Sequence, residues 1–149
     1  MAKGAPLSMN IEDEIERLTD LKHLGMALLQ FSRSLRPGTF KKKRAAWIYS
    51  PNFVGFEIRY ARVQRLNILV RPVPMPPDIQ TMLAGLDLHC GPYSYGRAEI
   101  SNARQLSAAC IYIEASWRDW HRHILGEEPE SWSPRGKAQP AIVFSGCSC

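Results

Sequence analysis

Two periodicities divide this chain. From Ile11 to Leu35, apolar residues fall at Ile11, Ile15, Leu18, Leu21, Leu24, Leu28, Phe31 and Leu35, in steps of three and four. That spacing lines one face of an α-helix. Asn10 is placed to cap it, Asp13 completes a capping box, and Glu12 and Glu14 stand where the helix N-terminus favours negative charge. Pro37-Gly38 stops the helix. After it the period drops to two. Residues 45–49 form a short strand candidate, and Ser50-Pro51-Asn52 is a turn signal. In residues 53–60, Phe56, Ile58 and Tyr60 share one face while Glu57 and Arg59 take the other. In residues 65–71, Leu66, Ile68 and Val70 alternate with Arg65, Asn67, Leu69 and Arg71.

Four prolines in seven residues, from Arg71 to Pro77, exclude helix and central strand and predict a stiff connector. Pro77-Asp78 opens a short helix to about Leu86, and residues 93–100 read as a fourth strand. Ser101 or Asn102 caps a last helix whose stripe is Leu106, Cys110, Ile113, Trp117, Trp120 and Ile124, ended by Gly126. Residues 127–149 carry no amphipathic period, and Ile142 to Phe144 is too short for more than a stray strand. The predicted order is α-β-β-β-(α)-β-α. That order implies a single α+β domain: an antiparallel sheet of about four strands, with the N- and C-terminal helices packed on one face. The boundaries are a flexible leader over 1–9, a domain over 10–126 and an irregular tail over 127–149.

Charge changes this picture. Between Lys41 and Arg71 lie eight basic side chains and one acid, Glu57, a net of +7 in a chain that carries +5. Five of the fourteen aromatic residues share that stretch. In a hairpin the period of two places Arg59, Arg65 and Arg71 on one side of the sheet, where like charges repel. Lys41, Lys42, Lys43 and Arg44 read as an exposed loop beside them. A strand face that gathers positive charge suits a polyanion. The expected contacts are Lys41, Lys42, Lys43, Arg44, Arg59, Arg65, Arg71, Tyr95 and Arg97, with Tyr49, Tyr60 or Tyr95 as stacking partners.

The segments "RPGTFKKKRAAWIYSPNFVGFEIR", "RLNILVR" and "YGRAEISNARQLSAACIYIEASW" together resemble a small bacterial domain of unknown function. That domain is found alone or fused to restriction-endonuclease-like nucleases, and the resemblance covers about Leu24 to Asp119. It implies an accessory domain near nucleic-acid transactions and supplies no catalytic residue. The proline run at 72–77 and the irregular segment before Arg97 depart from the family pattern.

The chemical candidates weaken one by one. Glu57-Ile58-Arg59 lacks the second acid and the lysine of a metal-dependent nuclease, so Glu57 reads as a solvated strand residue. On a helix His121 and His123 point apart, whereas Asp119 and His123 share a side. The bland reading there is a polar helix end. His89 beside Cys90 is no thiol nucleophile, because sequence neighbours rarely meet in space. Cys147 and Cys149 lack two further zinc ligands. With Cys90 and Cys110 far apart, no disulfide framework is expected. No apolar run reaches the ~20 residues of a membrane span, and the N-terminus has no secretory h-region. The sequence therefore predicts a cytoplasmic, non-enzymatic domain with no cofactor and no metal. Its partner would be nucleic acid or, alternatively, an acidic protein or a second copy. That alternative would use the proline connector and the tryptophan-bearing helix.

Overall fold

The computed structural model describes residues 9–83 and 85–126. The predicted leader, apart from Met9, and the tail with Cys147 and Cys149 lie outside the described residues. Between them stands an α+β fold with one antiparallel sheet of six strands. The chain runs α1 (Ile11–Glu16), α2 (Lys22–Leu35), β1 (Thr39–Lys43), β2 (Ala46–Ser50), β3 (Val54–Arg59), β4 (Arg65–Val70), α3 (Pro77–Gln80), β5 (His89–Cys90), β6 (Gly96–Glu99) and α4 (Ala103–Trp120). The spatial order is β1-β2-β3-β4-β6-β5.

The predicted capping box is present. Asn10 Oδ1 accepts from the Asp13 N–H at 2.9 Å, and Asp13 Oδ2 accepts from the Asn10 N–H at 3.0 Å. The single long helix, however, is two. At the break, the Thr19 N–H and hydroxyl both donate to Gln64 Oε1, at 2.9 and 3.0 Å, and Gln64 Nε2 donates to the Arg17 carbonyl at 3.3 Å. Gln64 sits in the β3–β4 turn, so a tertiary anchor interrupts the helix while Leu18 stays buried in register. A local periodicity cannot report such an anchor.

Two strands replace what was expected as loop. Residues 39–43 pair with β2 over five positions, so Lys41, Lys42 and Lys43 lie on an edge strand, and Arg44, at φ 59°, turns the chain together with Ala45. Lysine on an edge also discourages edge-to-edge pairing with another chain. Residues 89–90 add a short opposite edge against β6. The fourth predicted strand is shorter than expected, because residues 92–94 form a tight turn with Tyr93 at φ 55° and Ser94 at φ 65°.

One face of the sheet carries Trp47, Tyr49, Phe56, Ile58, Leu66, Ile68, Val70 and Ala98, all buried beneath α1, α2 and α4. Tyr49 and Phe53 meet edge to face at 5.4 Å, and Phe53 packs on Trp120 at 6.2 Å. Glu14 is buried among them, where its carboxylate accepts from Lys42 Nζ at 2.5 Å and Trp47 Nε1 at 3.0 Å.

Helix α4 is capped by Asn102, as predicted, but its buried face is rotated from the predicted stripe. Ala108, Ala109, Tyr112, Ile113, Ala115, Ser116 and Trp120 are buried, Leu106, Cys110 and Trp117 only partly so, and Ile124 is 59% exposed. Ile113 and Trp120 of the predicted stripe are thus buried, and Tyr112, Ser116 and three alanines are buried with them. The Ser116 hydroxyl, fully buried, donates to the Phe53 carbonyl at 2.5 Å and accepts from the Arg71 N–H at 2.9 Å. Cys90 is disulfide-bonded, whereas Cys110 is free.

Removing the Ser116 hydroxyl orphans two backbone groups at once. Ser116→Ala should destabilise the fold by about 1–3 kcal/mol for each group left without a partner. Urea unfolding checks this: the midpoint should fall with an unchanged m-value.

Candidate functional site

The register maps the sheet face that no helix of the described residues covers. One row runs Lys41, Ile48, Gly55, Leu69, Arg97 and His89; the next runs Lys43, Ala46, Glu57, Asn67 and Glu99. Arg59 and Arg65 stand directly opposite each other beyond Glu57 and Asn67. The hairpin topology brings the β1–β2 turn, with Arg44, and the β3–β4 turn, with Arg62 at φ 54°, to this same end of the sheet.

The centre of the face is not basic. Ala46, Ile48, Leu69 and Tyr95 form a small buried cluster of their own. The 91–95 turn covers it, and the approach is close: a Cβ on Gly91 would stand 3.0 Å from the Tyr95 carbonyl oxygen and 3.4 Å from Leu69 Cδ2. Beside the cluster, Glu57 takes Arg97 in a two-pronged pair, Nε to Oε1 at 2.7 Å and Nη2 to Oε2 at 3.0 Å. Asn67 Nδ2 adds a third donor at 3.0 Å. Glu57, expected as a solvated residue, is thus the acceptor of a half-buried network, and this hydrogen bond holds the Arg97 guanidinium above its already high ordinary value.

The nine expected contact residues therefore separate into groups. Lys42 turns to the helix side, to Glu14, and lies over the Trp47 ring at 5.0 Å. Arg97 is held by Glu57. Arg71 lies beyond β4 and spends Nε on Asp119 Oδ2 at 2.8 Å, so the predicted arginine row stops at two. Tyr95 is buried. Lys41, Lys43, Arg44, Arg59 and Arg65 remain, with no ion-pair partner among the described residues, and Arg62 joins them. Sequence reading missed Arg62, although its place in the turn between two strand candidates was visible.

The expected stacking rings are also rearranged. Tyr49 is fully buried, its hydroxyl donating to the Arg36 carbonyl at 2.6 Å. Tyr60 lies beneath Arg17, at 5.2 Å. The exposed ring is Tyr93, 55% accessible, with Lys43 Nζ 6.0 Å from its centroid. Asp119 and His123 do meet, Oδ1 to Nδ1 at 3.1 Å, but the other carboxylate oxygen belongs to Arg71. Among the described residues, no group of three or more His, Cys, Asp or Glu side chains could hold a metal ion. Among them, too, no helix is long and apolar enough to cross a membrane.

Between the 93–95 turn, β2 and the end of α4 opens a cleft of about 450 Å³, to which Lys43, Ile48, Arg71, Tyr93, Tyr95 and Asp119 contribute. No protein-family model, no curated protein and no solved structure matches this chain.

Burial pushes the Tyr95 hydroxyl up to about 12, against a smaller opposing effect of Arg71, and burial raises Tyr49 as well. Below pH 10 these phenols are neutral whether the chain is folded or unfolded. Above it, the unfolded tyrosine ionises while the folded Tyr95 stays protonated until about 12. Stability should therefore fall as pH rises from about 10 to about 12. In Tyr95→Phe that fall should be shallower, as chemical denaturation across this window would show.

Proposed function

We propose that this domain contacts a nucleic-acid strand through the basic end of the sheet face opposite α1, α2 and α4, without catalysis of its own. What supports the reading is a sorting of charge. Acids within the fold engage Lys42, Arg71 and Arg97, while Lys41, Lys43, Arg44, Arg59, Arg62 and Arg65 are left uncompensated around one end of the sheet. Arg59 opposite Arg65 is an arrangement that costs stability through repulsion unless an anion lies over it. Arg44 and Arg62 hold the turns in left-handed backbone that disfavours residues with a Cβ, so both turns carry strain where the charge gathers. Phosphates spaced along a strand would be met by guanidinium and ammonium groups along this end, which gives affinity without base selectivity.

The alternative is a protein-interaction or homodimerisation module. Trp120, on which that reading leaned, is buried against Phe53 with Arg36 5.4 Å from its ring, and Trp117 is half-buried.

Binding to short single- and double-stranded oligonucleotides across a salt series tests the proposal. If about five phosphates are engaged, log K should fall against log salt with a slope of roughly −3.5 to −4.5. The pair Arg59→Ala and Arg65→Ala should flatten that slope by about 1.4–1.8. Lys42→Ala should leave it unchanged and lower thermal stability, because it strips a partner from buried Glu14. No binding at low salt, or a stable dimer indifferent to oligonucleotides, would reject the proposal.

A further inference from the structure

The cleft beneath the 93–95 turn combines features that the basic end lacks. It is concave, and its volume of about 450 Å³ falls within the range of pockets that hold small ligands. Its rim contains consecutive residues, Tyr93 at φ 55° and Ser94 at φ 65°, both in the left-handed region. Holding two non-glycine residues there costs conformational energy, and such strain gathers at ligand sites. The strained turn presents the Tyr93 ring to solvent while burying Tyr95 two residues later.

The charges around the cleft favour an anion. Lys43 reaches over Tyr93 with no ion-pair partner among the described residues. Arg71 engages Asp119 through Nε alone, so its two terminal nitrogens have no hydrogen bond among the described residues. Asp119 is the one acid of the lining among the described residues, and it is already shared between Arg71 and His123. A cationic ligand would meet two fixed cations. An anion carrying a planar ring would meet an open aromatic face, two cationic donors and the Asn52 amide.

We propose that this cleft binds a single nucleotide, the base stacked on Tyr93 and the phosphate held by Lys43 and the outer edge of Arg71. The nucleotide is either a free mononucleotide or one unit of a single strand whose flanking phosphates run on to the basic end. The second case rests on the nucleic-acid reading above; the first does not. Base–aromatic stacking is worth about 1–3 kcal/mol, which converts to about a 5- to 150-fold change in affinity.

Calorimetric titration of the full chain with adenosine 5′-monophosphate, ribose 5-phosphate and a single-stranded pentanucleotide tests the proposal. The mononucleotide should bind more tightly than ribose 5-phosphate. Tyr93→Leu should weaken it 5- to 150-fold, Tyr93→Phe should retain it, and Lys43→Gln should weaken it together with its salt dependence. The mononucleotide and the base-free sugar phosphate binding equally, or neither binding, would overturn the site. So would Tyr93→Leu and Lys43→Gln both binding as the wild type does. The two readings fail separately. A pentanucleotide that binds wild type and Tyr93→Leu alike, with steep salt dependence, sinks the cleft alone. A mononucleotide that binds through Tyr93, while strands bind no tighter than it does, upholds the cleft and sinks the basic end.

Discussion

One buried hydroxyl joins the last helix to the sheet. Ser116 donates to the Phe53 carbonyl and accepts from the Arg71 amide, so α4 is tied to the start of β3 and the end of β4. The alanines around Ser116 permit the approach that this bridge requires. Its consequence reaches the other side of the fold. With the Arg71 backbone held at Ser116, the Arg71 side chain meets Asp119 one turn further along the same helix. The cleft beside Tyr95 inherits both its arginine and its carboxylate from this junction.

The charged residues follow a single rule: a cation near the core is paired, and the unpaired ones stand at the rim. Glu14 is buried and takes Lys42 and Trp47, while Glu57 is half-buried and takes Arg97 and Asn67. A buried or half-buried charge without a partner is costly, whereas a charge in water is not. What survives at the rim is a smaller and more coherent set than the count of basic residues suggested, and it lies at one end of the sheet rather than across its face.

The elements with strong local signals were legible in the chain. The Asn10–Asp13 capping box, a cap at Ser101 or Asn102, the β3–β4 alternation and the placing of Arg59 and Arg65 on one side of the sheet could be read directly. The failures share a cause. The break after Glu16 depends on Gln64, forty-five residues from Thr19 in sequence. The strand at 39–43 exists because β2 pairs with it, although its lysines look like a loop. The α4 stripe was legible at Ile113 and Trp120, whereas the buried Ala108, Ala109, Ala115 and Ser116 were passed over.

Sequence by itself determined the α+β class, the hairpin order and the concentration of positive charge between Lys41 and Arg71. Those follow from periodicity, turn residues and composition, which act over a few neighbours. Only the tertiary structure decided which of those charges are spent. Lys42 and Arg71 find their acids on elements distant in sequence, at separations of 28 and 48 residues, and Arg97 beyond that stretch takes its one acid, Glu57, from 40 residues away. It also decided which ring faces solvent, because the 91–95 turn buries Tyr95 against Ile48 and Leu69 and leaves Tyr93 outside. Neutralisation and exposure belong to pairs of residues brought together by folding, and no local pattern encodes a pair.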